Sequence, residues 1–479
     1  LVPEIGLTPQ TVTRFTRRFS VKVVAMHSGL TDRERMEAWR HAAQGSAGIV
    51  IGTRSAVFTP LRKPGLIVVD EEHDPSFKQT DGFRYSARDL AVMRGHIEKL
   101  PVVLGSATPS LETLHNVVRE KYGQLTLSHR PGNARPARYR IIDIRNRRLD
   151  EGFSTELIDS IKQQLADGNQ VLVFLNRRGF APVLLCHECG WLARCHRCDA
   201  RLTWHHARKA LICHHCGGTN RIPEECPECR SRQLLALGAG TERVEQTLSR
   251  MLPGQKIIRI DRDTTRKKDY MSSVVSELRR GEPAVLVGTQ LLAKGHHFPD
   301  VTLAAILDMD SGFYSADFKA IERMGQLILQ VGGRSGRASK PGLIAIQTHF
   351  PDAEILKTLM HEGYPAFAEK LLEERRENEL PPWQFLTLVR AEATSRSLPL
   401  EFLKETAAKM KSGSLVELLG PIPSPMERRA GRYRAQLLIS SRNRGALQRT
   451  VKNYIAVAEA SSLARKVRWS IDVDPVDLF

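Results

Sequence analysis

GLIVVDEEHD, residues 65–74, is the stretch on which the fold turns. Its apolar, β-branched run reads as a strand buried on both faces, and it ends abruptly in Asp70, Glu71, Glu72 and His73. Adjacent carboxylates at a strand end meet the needs of nucleotide hydrolysis. Asp70 is placed to hold Mg²⁺ through its water shell and Glu71 to polarise the attacking water. Standing alone, the tetrapeptide would also read as an acidic loop closing a strand. Its neighbours argue for chemistry. A second apolar strand, PVVLG (101–105), delivers Ser106-Ala107-Thr108, a small hydroxyl-bearing turn able to link an acidic site to a ligand groove by short hydrogen bonds. Far downstream, Gln330-Val331-Gly332-Gly333-Arg334-Ser335-Gly336-Arg337 sets two guanidinium groups three residues apart, about one helical turn. Arg334 and Arg337 can both face one triphosphate, and a cation supplied from an opposing lobe stabilises γ-phosphate charge only when the cleft closes.

Outward from this stretch the pattern repeats. From Val21 to Ser110, apolar runs (VKVVAM, AGIVIGT, GLIVVD, PVVLGS) alternate with helical spacing such as LTDRERMEAWRHAAQ. The alternation breaks in the loop HRPGNARPAR and resumes with NQVLVFLNRRG, QKIIRIDRD, AVLVGTQ, TLAAILDMD and GLIAIQTHF. Repeated β-α-β spacing predicts parallel sheets covered on both faces, so the chain reads as two tandem α/β lobes. We place lobe one at residues 1–130 and lobe two at 131–350, with a cysteine-rich insertion at 186–229. A helical linker and an α+β domain follow at 351–479.

All eight cysteines fall in that insertion as four Cys-x-x-Cys pairs. Two intervening residues make a turn that aims both sulfurs at one tetrahedral Zn²⁺, so four pairs predict two Cys₄ sites. Three pairings are arithmetically possible. Zinc-ribbon spacing joins Cys195 and Cys198 to Cys213 and Cys216, leaving Cys186, Cys189, Cys226 and Cys229 as the other site. His187, His196, His214 and His215 stand beside the thiols as substitute ligands. Redox chemistry would not use so many pairs in so short a segment. A Cys₄ site has no open coordination position, so these metals are read as structural, and the insertion's few aliphatic residues suggest order drawn from metal rather than a core.

The formal charge is 71 Lys+Arg minus 53 Asp+Glu, or +18, which favours a polyanionic partner. No long apolar run and no signal-like N-terminus occur, so the expectation is a soluble cytoplasmic protein without a membrane role. Because the chain starts at Leu1, inside a strand-and-turn pattern, we read it as lacking its true N-terminus.

LVPEIGLT, GTRSAVFTP, DEEH, GSATPS, FLNRRG, GTE, VGTQLLAKGHHFPDV and QVGGRSGR follow the motif order of superfamily-2 helicases. The wording of LVPEIGLTP, DEEHD with FRYSARDLA, FLNRRGFAP and AKGHHFPDVTL resembles the PriA family of primosomal replication-restart helicases, over essentially the whole chain. The resemblance implies two RecA-like lobes, a bacterial, monomeric 3′-to-5′ DNA helicase using Mg²⁺ with ATP, and action at abandoned forks to start primosome assembly. Forked and single-stranded DNA, other primosome proteins and single-stranded DNA-binding protein are the implied partners. His73, Ser106, Thr108, Gly295 and Gln330 become candidates for coupling ATP to DNA, and the nested zinc pairing above is implied as well.

For DNA itself, Phe77 and then Phe83, Arg84, Tyr85 and Arg88 form an aromatic and basic stretch suited to stacking on unpaired bases. Lys294, His296 and His297 follow the apolar run AVLVGTQ and are candidates to meet backbone phosphates. Arg428, Arg429, Arg432 and Arg434 surround Tyr433 in the last domain, as a duplex or fork contact. Two departures matter. The family's Gly-Lys-[Ser/Thr] phosphate loop occurs nowhere in these 479 residues, so the chain alone is expected to be inactive. Gly332 and Ser335 also stand where the family pattern has Ala, which bears on helix packing. A rival reading is a non-enzymatic zinc-bearing DNA-binding scaffold. A metal-dependent nuclease would need further carboxylates converging on the DEEH strand, and none is placed to do so.

Overall fold

The computed structural model describes the chain apart from residues 5–7, 128–136, 176–182, 192, 195–201, 206–209, 214–218, 238–240, 261–263, 265–269, 279, 290–299, 308, 314, 316, 334–341, 411–414, 430 and 479. Two compact units emerge: Leu1–Gln124 with Leu372–Ile422 and Ala435–Leu478, and Leu125–Leu371 with Pro423–Arg434.

In the first unit, β1 (Val23–Met26) pairs in parallel with β2 (Ile49–Gly52), and β3 (Ile67–Asp70) with β4 (Val102–Gly105). Residues 1 and 2 bridge the two pairs, since Val2 N–H donates to Gly52 and Asp70 N–H donates to Leu1. Each crossover helix starts on a capping side chain. Thr31 and Glu34 form a capping box for Asp32–Gln44, and Ser86 caps Ala87–Glu98 through the Asp89 amide. Gly52 ends β2 where a Cβ would lie 2.1 Å from the Met26 carbonyl oxygen, so only glycine fits the passage into the Arg54–Phe58 turn.

The second unit is built on six parallel strands. After β5 (Arg138–Asp143) and a short hairpin of β6 (Leu149–Asp150) and β7 (Phe153–Ser154) comes β8 (Gln170–Leu175), buried throughout. Between β8 and the next strand of that sheet lies an antiparallel insertion of β9 (Val183–Cys186), β10 (Leu202–His205), β11 (Ala210–Cys213), β12 (Thr219–Arg221) and β13 (Leu234–Leu237), in the order β12-β11-β10-β9-β13. The parallel sheet then gains β14 (Ile257–Ile260), β15 (Ala284–Gly288), β16 (Val301–Leu307) and β17 (Leu343–Thr348), and its order is β14-β15-β8-β16-β17-β5. Strands β8, β15 and β16 are buried along their length, as unbroken apolar runs covered on both faces must be. The insertion has more of a core than its composition suggests: Leu184, Ala193, Leu202 and Leu211 are buried together, and Trp191 packs against them.

Strands β18 (Phe385–Ala393), β19 (Glu417–Arg429), β20 (Arg432–Ser441) and β21 (Arg468–Val473) form a sheet of order β19-β20-β18-β21. Helices Leu398–Ala408 and Arg444–Ala460 fall after its first and third strands, giving the split β-α-β topology. Tyr454 and Phe402 are fully buried in its core.

Candidate motor site and metal centre

Asp70 is the last residue of β3 and lies opposite Gly105 of β4, so parallel pairing brings the acidic motif beside Ser106-Ala107-Thr108. Glu71 follows at φ 51°, a left-handed conformation that a residue with a side chain adopts at a cost. Its carboxylate is part exposed and lies 3.7 Å from His73 Nδ1, while the His73 side chain is only 3% exposed. That same Nδ1 is 2.7 Å from Ser106 Oγ, and Ser106 Oγ accepts the Thr108 amide at 2.9 Å. His73 thus lies between the candidate water-activating carboxylate and the hydroxyl turn.

Glu72, to which the sequence assigned no role, is the buried hub of this corner. It accepts from the Ser110 amide (2.6 Å) and hydroxyl (3.1 Å), from Thr113 Oγ1 (3.0 Å) and from Arg88 Nη1 (3.1 Å). Arg88 also donates to Ser110 Oγ and Asp89. Burial would lower its pKa, yet the carboxylates of Asp89, Glu72 and Glu112 hold it well above the ordinary arginine value. Arg88, expected from sequence as a DNA contact, thus has its guanidinium hydrogen-bonded within the acidic corner. Arg54 was missed as well. It ties the chain after the motif by donating to the Ser76 and Lys78 carbonyls, both at 3.0 Å.

Phe83 does project. It is 77% exposed, and its ring lies 5.8 Å from Tyr85, which packs at 5.0 Å on Phe58. Burial raises the Tyr85 phenol pKa, with Arg54 opposing. Phe77 is buried in the core of lobe one, and Arg84 is half-buried.

Cys186, Cys189, Cys226 and Cys229 converge with all four sulfurs within 4.8 Å of one another. Thiolates at about 2.3 Å around a tetrahedral Zn²⁺ are about 3.8 Å apart, and the nearest pairs here, Cys186–Cys229 and Cys189–Cys226, are 3.5 and 3.6 Å. The donor set fits zinc. Both knuckles are built alike. Cys186 N–H donates to Trp191 and Gly190 N–H returns to Cys186, while Cys226 N–H donates to Ser231 and Arg230 N–H returns to Cys226. Gly190 and Arg230, at φ 76° and 58°, make the equivalent left-handed turn. His187 is not part of this set: its ring bridges the Arg147 carbonyl and His349, which lies 2.7 Å from Asp310. Cys195, Cys198 and Cys216 fall outside the described residues, as does the Cys213 side chain, whose backbone closes β11 opposite Leu202.

Four family models match. They are the DEAD/DEAH box helicase (residues 1–117), the PriA DNA helicase Cys-rich region (195–221), the helicase conserved C-terminal domain (223–339) and the primosomal protein N C-terminal domain (376–476). A curated relative, the replication restart protein PriA of Rickettsia conorii, is 36% identical over 482 residues, covering 100% of this chain and 74% of its own length. The chain belongs to the PriA family. PriA of Haemophilus influenzae is 47% identical over 100% of the chain and PriA of Bacillus subtilis 37% over 99%. The chain spans 66% and 60% of the lengths of those two relatives.

Two RecA-like lobes, a Cys-rich zinc region and a C-terminal domain are therefore the PriA-family architecture of this chain. Of the lobe-two residues singled out from sequence, Gln330 lies on the helix Ala320–Gly332, whereas Lys294, Gly295, His296, His297, Arg334 and Arg337 are outside the described residues. Gly332 has a packing reason, since a Cβ there would meet Ile344 Cδ1 at 2.3 Å. Arg432 and Arg434 lie half-buried on β20, and Arg428 stacks over Tyr433 at 5.2 Å from its ring centre. No helix among the described residues is long and apolar enough to cross a membrane.

Proposed function

We propose that this chain supplies the motor lobes, zinc insertion and C-terminal domain of an ATP-dependent DNA helicase that moves 3′ to 5′, recognises abandoned replication forks and starts primosome assembly. The observation that carries the reading is the His73–Ser106 contact at 2.7 Å, with Glu71 on its other side. A carboxylate poised for water activation is thereby joined, through one imidazole, to the strand-end turn beside it. When Mg²⁺ and ATP bind, the metal neutralises phosphate charge. Asp70 holds that metal's water shell, Glu71 orients the attacking water, and Arg334 and Arg337 complete the phosphate contacts from lobe two.

Lobe one is assigned to residues 1–130, lobe two to 131–350 with the zinc insertion at 186–229, and the linker and fork-binding domain to 351–479. Two structural Zn²⁺ are held, one by Cys186, Cys189, Cys226 and Cys229, the other by Cys195, Cys198, Cys213 and Cys216. Phe83, Arg84 and Tyr85 stack on unpaired bases, and Lys294, His296, Arg432 and Arg434 take phosphate. Single-stranded DNA-binding protein and primosome proteins dock on a monomer in the bacterial cytoplasm. The 479 residues contain no Gly-Lys-[Ser/Thr] loop, so the reading needs that loop supplied for hydrolysis.

The test is strand displacement from forked duplexes by a form of the protein that carries that loop upstream of Leu1. Displacement needing ATP and a 3′-to-5′ track supports the proposal. ATP-independent binding with no displacement on any fork would replace it with a zinc-bearing DNA-binding scaffold.

A further inference from the structure

Lys78 is a buried lysine at the base of the aromatic loop, and the groups that hold it come from the other end of the chain. Its Nζ donates to the carbonyls of Val473 and Asp474, the latter at 3.1 Å, and lies 2.9 Å from Asp472 Oδ1. Lys78 and Asp472 side chains are 7% and 6% exposed. The cup is shaped by the end of β21. Asp472 is paired opposite Leu388 of β18, and Asp474 turns at φ 50° with its amide on Leu386. Arg390 flanks the same carboxylate at 3.7 Å, and Arg444 holds Asp474 at 2.9 Å. A buried ammonium needs such charge and hydrogen-bond satisfaction, so the contact is specific.

What Lys78 anchors is a closed loop. Lys78 bridges Ser86 across its stem, and the Gln79 amide donates to the Tyr85 carbonyl at 2.7 Å. Phe83 lies at the exposed tip. On the far stem Ser86 caps the helix Ala87–Glu98, whose Arg88 reaches Glu72 in the acidic motif. On the near stem Arg54 fixes the Lys78 carbonyl. One strand end of the C-terminal domain therefore grips one stem of the loop, and the acidic motif grips the other.

We propose that Lys78 is a positioning residue, plugged into the β21 cup so that the C-terminal domain sets where the Phe83–Tyr85 loop stands relative to the Glu72–Arg88 hub. The proposal rests on the reading of this protein as a DNA-dependent ATPase. Its structural half can be tested without activity. In hydrogen exchange on this chain, Lys78→Met should lower protection of the Gln79 amide by about tenfold or more while β15 and β16 amides are unchanged. The double variant Lys78→Met/Asp472→Leu removes the carboxylate that the single variant leaves with Arg390 alone, 3.7 Å away, and should recover part of the stability but not loop protection.

In the protein carrying the phosphate loop, both variants should lose about tenfold or more of the DNA-stimulated kcat with DNA-free hydrolysis intact, and Lys78→Arg should retain part of the stimulation. Full stimulation in the stably folded double variant would overturn the proposal, as would unchanged Gln79 protection. Absence of DNA stimulation in the unsubstituted protein would instead sink the ATPase reading and leave the exchange result to decide the latch.

Discussion

Ser110 donates twice to one buried carboxylate, its amide to Glu72 Oε1 at 2.6 Å and its hydroxyl to Oε2 at 3.1 Å. The same hydroxyl caps the helix Leu111–Val118 through the Thr113 amide. The acidic motif after β3 and the turn after β4 are therefore one hydrogen-bonded body, completed by Arg88.

Arg88→Ala should cost about 3–5 kcal/mol in urea unfolding, because it leaves Glu72 charged and buried without its cation. Glu72→Gln added to it should restore part of the loss. Since Arg88 faces inward, the salt dependence of DNA binding should be unaltered by the substitution, whereas a phosphate-contacting arginine would reduce the slope.

Phe83→Ala should weaken single-stranded DNA binding by about 1–3 kcal/mol with little change in thermal stability, since the ring stands in solvent and its loss removes only a stacking platform. Fluorescence anisotropy with a labelled oligonucleotide measures this. An unchanged affinity would remove the loop from the DNA path.

Zinc content should be two equivalents per chain. Cys189→Ser or Cys229→Ser should each lower it by one and loosen the Trp191 and Ser231 knuckle turns, seen as faster exchange of the Cys186 and Cys226 amides. A stoichiometry of one in the unsubstituted chain would contradict the second site.

Alkali should unfold the C-terminal domain earlier than its core size suggests. Tyr454 is fully buried, bonded to Thr406 at 2.7 Å, and burial pushes its phenol up to about 12. The folded state keeps the proton between pH 10 and about 12 while the unfolded state releases it. That contribution is therefore complete below pH 10 and falls away by about 2–3 kcal/mol as pH approaches 12. Tyr454→Phe should flatten that slope in urea titrations at high pH, at the cost of about 1 kcal/mol at neutral pH for the lost hydrogen bond.

Lobe two was legible because parallel strands buried on both faces, such as β8 and β16, leave long apolar runs, whereas β3, read from sequence in the same way, leaves Val68 43% exposed. Cys-x-x-Cys spacing likewise named Cys186, Cys189, Cys226 and Cys229 as one set, and their sulfurs meet. Glu72 and Arg88 were harder to read. A charge in a motif looks the same whether it points to solvent or into a hydrogen-bond hub, and only the packing of the helix Ala87–Glu98 beside β3 and β4 decides between them. Lys78 carried no signal at all, because its partners lie at Asp472–Asp474 and sequence proximity says nothing of them. The small core of the zinc insertion escaped notice for a related reason: its members are single residues on four separate segments.

The most direct test of the account is ATP hydrolysis by a form of this protein carrying a Gly-Lys-[Ser/Thr] loop upstream of Leu1, with and without single-stranded or forked DNA, beside its Glu71→Gln variant. The account predicts hydrolysis that depends on DNA and is abolished by Glu71→Gln while DNA binding and zinc content persist. Hydrolysis that survives Glu71→Gln, or no hydrolysis on any DNA from a folded, zinc-loaded protein, would contradict it.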